Sequence, residues 1–251
     1  MQFDLIMTTQ FTFMAALIAM LGGAYYFSLM KSTVPVEYQS SVATSAVYCF
    51  MASIMYAYMN YKFGLGTDTL KNGQYPTSLR YIDWIVTTPL IVLKFPQLLG
   101  SDERGNSIAT LVIVADIMMI LFGFIGETSI NSLKGSEFNL IGFAMFGVSM
   151  LAWMFILFIL YSSVTEASSD KLGPIQQGLA KLKLFILIGW AIYPLGYIIT
   201  LFSNNPDARI WREMVYNIAD LFNKVGFGMV ALYSVQQFMI ETKIRQALSD
   251  I

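Results

Sequence analysis

Two pairs of opposite charges stand where charge is otherwise rare. Lys224 lies near the middle of an apolar stretch running from about residue 211 to 240, and Asp220 sits four positions before it. That spacing puts both side chains on one helical face. Arg80 and Asp83 are three positions apart in another apolar stretch, again on one face. A charge near the centre of a membrane helix costs about 2.5–3.5 kcal/mol on insertion scales, and such residues usually face the bundle interior. Lys224 is too deep to snorkel easily to either surface. Two readings are open. The four charges could be a buried salt-bridge cluster that only holds helices together, although such clusters are a poor source of net stability. Alternatively, Lys224 has a chemical role: buried lysines form Schiff bases with carbonyl compounds. A protonated Schiff base inside a membrane needs a carboxylate counter-ion, and Asp83 and Asp220 are both at hand.

The aromatic residues suggest the partner. Trp84 follows Asp83 directly, and the segment GWAIYPLGY supplies Trp190, Tyr193, Pro194 and Tyr197. Met119 and Trp153 lie in two further apolar stretches. Rings at helical spacing can be ordinary core; converging on a buried lysine, they would suit a rigid, conjugated apolar ligand. Pro194 removes a backbone hydrogen bond within its span, leaving an irregularity that can act as a hinge. The chain has no histidine, and Cys49 is its one cysteine, so His-dependent triads, His-ligated metals and internal disulfides are excluded.

The elements that position these residues follow from the spacing of charge. Of 251 residues, 56% are hydrophobic and 12% charged, against about 25% charged in a soluble domain. The net charge of −1 gives no argument for a nucleic-acid surface. No formal charge falls between Asp4 and Lys31, Glu37 and Lys62, Glu137 and Glu166, or Lys183 and Asp207. Each run is long enough for a bilayer-spanning helix. Three more spans qualify if a few interior charges are allowed. The expected spans are residues 6–30, 40–60, 79–99, 107–125, 138–163, 179–202 and 211–240. They are apolar all round rather than amphipathic, and they lack the alternation of a β-barrel. The expected fold is an all-α membrane protein, a seven-transmembrane-helix bundle forming one domain over residues 1–251. The longest loop, 61–78, contains Gly64, Gly66, Gly73 and Pro76 and suggests a turn or small hairpin. Loop and tail cations divide seven to five in favour of an extracellular N-terminus, Lys183 counting on one side and Arg212 on the other. The start lacks the basic region of a cleavable signal peptide.

Three segments, RYIDWIVTTPLIVLK, WAIYPLGY and YNIADLFNKVGFG, together with seven spans covering the chain, resemble the microbial rhodopsins, and most closely their proteorhodopsin branch. The resemblance implies an integral, multi-pass membrane protein that is not an enzyme but a light-driven outward proton pump. Its partners would be retinal, the lipid bilayer and protons, in a homo-oligomer of five or six copies. Lys224 would bind all-trans retinal as a protonated Schiff base. Asp83 would be the primary counter-ion and proton acceptor, Asp220 the second counter-ion, and Arg80 a gate for release on the extracellular side. Thr87 would orient the Asp83 carboxylate. Trp84, Trp190, Tyr193, Pro194 and Tyr197 would wall the slot, with Met119 and Trp153 near the retinal ring. Ile91 stands where a polar residue shifts absorption toward blue, so green absorption is expected. No metal is expected.

The sequence also departs from the family pattern. Eleven positions after Asp83, where pumps of the family usually carry Asp or Glu, stands Lys94. Eleven residues of helix span about 16 Å, which places it toward the cytoplasmic end. It could snorkel to the surface, or it could relay a proton as a neutral lysine; some relatives with lysine here resemble pumps. Met55 stands where many proteorhodopsins have a histidine on the second span. Phe146 stands where carotenoid-binding relatives have glycine, so a ring would fill that side window. Asp116 is expected near the retinal ring and neutral in an apolar interior. The missing carboxylate donor keeps a second function open, a photosensor whose slow cycle signals to a partner protein.

Overall fold

The computed structural model describes residues 4–65, 78–100, 103–131, 140–202 and 206–250. Among these, seven helices are long and apolar enough to cross a membrane, and there is no strand. They are α1 (Leu5–Thr33), α2 (Val36–Gly64), α3 (Ser78–Leu99), α4 (Glu103–Ser129), α5 (Leu140–Ala167), α6 (Gly173–Ile199) and α7 (Asp207–Ser249). Helices α1 to α7 pack in sequence, and α7 returns onto α1, so the bundle closes into a ring.

Local chemistry sets the ends. The Asp4 carboxylate accepts from the amides of Ile6 and Met7 at 3.0 and 3.1 Å, capping α1. Pro174 starts α6 where a missing N–H costs nothing. Gly100 ends α3 at φ 107°, a backbone region that glycine reaches without strain. Several helices outrun the apolar windows expected from sequence. Helix α2 begins at Val36, α6 at Gly173, and α7 continues to Ser249. Those extensions carry charge, such as the exposed pair of Glu241 and Arg245 one turn apart; hydropathy reports only the length within hydrocarbon. Gly64, expected in a turn, belongs to the end of α2, while Gly66, Gly73 and Pro76 lie outside the described residues.

The bundle reverses the usual arrangement of polarity. Phe11, Phe50, Phe158 and Leu195 face outward, whereas Arg80, Asp83, Lys94, Glu213, Asp220 and Lys224 are buried. Lipid on one side accounts for the first, and ion pairing on the other for the second, except at Lys94, whose Nζ donates to Ser41 instead. The helices are also irregular where they approach this interior. In α6, residues Phe185–Gly189 form a widened π turn, after which Trp190 and Ala191 break the helix, which resumes at Ile192. Pro194 has no amide hydrogen to give the Trp190 carbonyl, and Tyr193 N–H takes that place at 3.1 Å. In α7, Phe222–Gly226 forms a second π turn, and Lys224 is at its centre. Such turns recur at functional sites because they release backbone groups from the helix ladder.

Candidate functional site

The site is built around the Lys224 amine. Its Nζ donates to Asp83 Oδ2 at 2.6 Å and to Asp220 Oδ2 at 3.0 Å, so α3 and α7 are joined through one cation. All three side chains are essentially inaccessible. The two carboxylates differ. Asp220 also accepts from Tyr193 at 2.5 Å, Tyr56 at 2.9 Å and Trp84 Nε1 at 3.4 Å. Asp83 Oδ1 has no protein hydrogen-bond partner. Asp220 is thus fixed by donors on every side, while Asp83 keeps one oxygen open.

Arg80 stands on the side where α1 begins. Its guanidinium donates to Glu213 Oε2 at 2.7 Å, Asn217 Oδ1 at 2.6 Å and the Tyr56 hydroxyl at 3.2 Å. Tyr56 therefore bridges Arg80 to Asp220. Beyond Glu213, Arg212 binds Glu213 at 3.1 Å and Glu127 of α4 at 2.8 Å. Two arginines and two glutamates form a buried, charge-neutral cluster. Sequence reasoning counted Arg212 as a loop cation, yet it is 4% exposed because this pairing holds it inside. Lys183, also counted in a loop, is buried and donates to Thr165 at 2.6 Å. Glu213, Asn217, Glu127 and Tyr56 were not identified from sequence. A signal existed for two of them: positions 213, 217, 220 and 224 repeat at helical spacing on a single face.

The expected wall residues converge. Trp84, Ile91, Met119, Trp153, Trp190, Tyr193, Pro194 and Tyr197 all line one cavity, which Lys224 also lines. Trp84 and Tyr193 meet edge to face at 5.0 Å, and Trp153 Nε1 donates to the Ile186 carbonyl at 3.1 Å. Phe146 also lines the cavity and stacks on Tyr197 with centroids 4.9 Å apart and planes 25° apart. On the α7 wall, Asn223 donates to the Gly189 carbonyl at 3.0 Å and to the Tyr193 hydroxyl at 3.2 Å, tying the two π turns together. A Cβ at residue 189 would stand 2.1 Å from Asn223 Oδ1, so the junction requires glycine.

One expectation needs adjustment and one open choice closes. The Thr87 hydroxyl donates to the Asp83 main-chain carbonyl at 2.9 Å rather than to its carboxylate, as a threonine one turn along a helix readily does. Lys94 does not snorkel: it is 0% exposed, and its Nζ donates to the carbonyl of Ser41 on α2. Asp116 is buried and accepts at 2.8 Å from Thr88, which itself lines the cavity. Met55 packs against the cluster around Phe13 and Tyr56. Among the described residues no group of three metal-ligating side chains occurs.

Chemically, the arrangement can hold a flat apolar molecule in a covalent bond to an amine, keep that amine positively charged beside two carboxylates, and pass its proton to the less committed one.

Known proteins share this plan. A family model described as bacteriorhodopsin-like protein matches residues 7–238. The crystal structure of Exiguobacterium sibiricum rhodopsin superposes with a TM-score of 0.84 at 40% identity, covering 93% of this chain and 98% of that one. A green-light absorbing proteorhodopsin from Gamma-proteobacterium EBAC31A08 is 27% identical over 84% of this chain and 80% of its own. Sensory rhodopsin-2 of Natronomonas pharaonis is 34% identical over 61% of this chain and 59% of its own.

Proposed function

The chain belongs to the bacteriorhodopsin-like family, an integral multi-pass membrane protein rather than an enzyme, and from that premise we propose that it is a light-driven outward proton pump with all-trans retinal bound through Lys224. The residues fit the group. The cavity is lined by a primary amine and three tryptophans, and a carboxylate with an unpartnered oxygen stands beside the amine. Trp84, Trp190, Tyr193 and Pro194 would clasp the polyene, with Met119 and Trp153 toward its ring. When bound, retinal supplies light absorption and a change of shape that reorients the proton on Lys224 Nζ.

The chain's own residues do the rest. The observation that carries the reading is the 2.6 Å contact between Lys224 Nζ and Asp83 Oδ2, because that carboxylate is within direct reach of the proton and is less bonded than Asp220. Transfer cancels a charge pair, which weakens the attraction holding the resting arrangement. Arg80, joined to Asp220 through Tyr56 and to Glu213 directly, can then redistribute its hydrogen bonds and favour release on the side where α1 begins, which we assign as extracellular. Lys94, on the opposite side, returns a proton to Nζ. Movement of α6 about the Trp190–Pro194 break opens that path. Against a membrane potential the work is about 2.3 kcal/mol per charge per 100 mV. Assembly as rings of five or six copies completes the proposal, testable by cross-linking in native membrane.

In cells given all-trans retinal, illumination is expected to acidify the medium, and an uncoupler to abolish the change. Asp83→Asn is expected to remove acidification while a pigment still forms. A mutant that pumped like the parent would show that Asp83 is not the acceptor. The 34% identity with a sensory rhodopsin favours a second reading, a photosensor signalling to a partner. Flash photolysis separates the two: a cycle of seconds without pH change indicates sensing, and a fast cycle with acidification indicates pumping.

A further inference from the structure

Between Lys94 and Lys224 the bundle is plugged by rings. Phe227 of α7 meets Phe95 of α3 and Phe185 of α6 edge to face, with centroids 6.0 and 5.8 Å apart. One buried side chain reaches both lysines past this plug. The Tyr48 ring, on α2, lies 5.5 Å from the Lys94 ammonium, and its hydroxyl donates to the main-chain carbonyl of Lys224 at 2.9 Å. That carbonyl belongs to the π turn of α7, so the hydroxyl braces the turn that carries the reactive amine. The neighbouring backbone is shaped around it: a Cβ at Gly228 would stand 2.7 Å from the Tyr48 hydroxyl and 2.6 Å from the Phe27 ring.

We propose that Tyr48 is a positioning residue for the return of the proton to Lys224 Nζ. The inference rests on the pump reading, in which Lys94 gives up an ammonium proton, becomes neutral, refills from its own side of the membrane, and so restores the proton that Nζ passed to Asp83. Phenylalanines offer that proton no support. A phenolic hydroxyl both donates and accepts, so it supplies a polar step in the plug. Its bond to the Lys224 carbonyl fixes the distance between that step and the amine. The cation–π contact holds the Lys94 head against the same ring.

Tyr48→Phe removes only the hydroxyl and keeps the ring. Parent and variant, both reconstituted with retinal, are compared by flash photolysis. Isotope-edited infrared spectra with carbonyl-labelled lysine are recorded on the retinal-bound and retinal-free chains. In the variant the labelled carbonyl band is expected to move to higher frequency with and without retinal. Loss of the Nζ proton after the flash should stay within about twofold of the parent, while its return slows about tenfold, equivalent to ~1.4 kcal/mol, the scale of one net hydrogen bond. Azide, a small permeant proton donor, should restore the return rate. An unshifted carbonyl band, an unchanged return rate, equal slowing of both steps, or failure of azide to rescue each overturns the proposal. Should the parent itself never lose the Nζ proton on illumination, the pump reading fails with it, and the parent record alone identifies that case.

Discussion

Asp220 and Asp83 share one lysine but not one environment. Tyr56, Trp84, Tyr193 and Lys224 all donate to Asp220, and hydrogen bonds of this kind hold a carboxylate as an anion. Asp83 receives Lys224 on one oxygen and leaves the other open, which is why the Asp83→Asn experiment tests transport directly. Both aspartates were legible in the sequence because a charge in an apolar span is conspicuous. Their different surroundings were not, since Tyr56 and Tyr193 come from other helices and look like ordinary core residues. Thr87 shows the same limit: its spacing from Asp83 was visible, but which oxygen it bonds depends on side-chain rotation. Ile91 is 1% exposed and lines the cavity wall beside the proposed polyene. Ile91→Gln places a dipole there, and the visible absorption maximum is expected to move toward blue; an unmoved band would remove Ile91 from colour tuning.

Among elements, α7 carries the most. Its face holds Glu213, Asn217, Asp220 and Lys224, and its π turn presents the last of these. Pro194 announced the irregularity of α6 because the sequence itself lacks a donor there. Nothing comparable marks Phe222–Gly226, where the widened turn is accompanied by two bonds from elsewhere, Asn223 to Gly189 and Tyr48 to Lys224. Arg212 tests how the elements are tied, because it joins α7 to Glu127 of α4. Arg212→Gln leaves a buried carboxylate without this cation, a change that costs about 3–5 kcal/mol. The Glu241–Arg245 pair is exposed, Arg245 at 63%, and Arg245→Gln should cost at most about 1 kcal/mol. Thermal unfolding of the purified pigment should therefore fall markedly for the first substitution and hardly at all for the second. Equal midpoints would mean that the buried cluster does not hold α4 to α7.

At the scale of the molecule, the number and order of spans were readable from charge spacing for four of them and from apolar length for the three that hold interior charges, because a bilayer core admits few charges and demands a minimum length. Helix ends were less readable, since past the hydrocarbon boundary a helix is maintained by caps and surface pairs that hydropathy does not register. Buried cations also disguise themselves in such counts: Arg212, held in ion pairs, and Lys183, held by the Thr165 hydroxyl, look like loop charges in the sequence although both are buried. The Phe146–Tyr197 stack has a consequence for how the molecule uses light. Those rings line the cavity at the flank where the family resemblance would put a second dye, so on the pump proposal energy is collected only by the pigment proposed on Lys224. The excitation profile of transport should accordingly have a single maximum that overlays the absorbance curve, and adding carotenoid to the membranes should leave that profile unaltered.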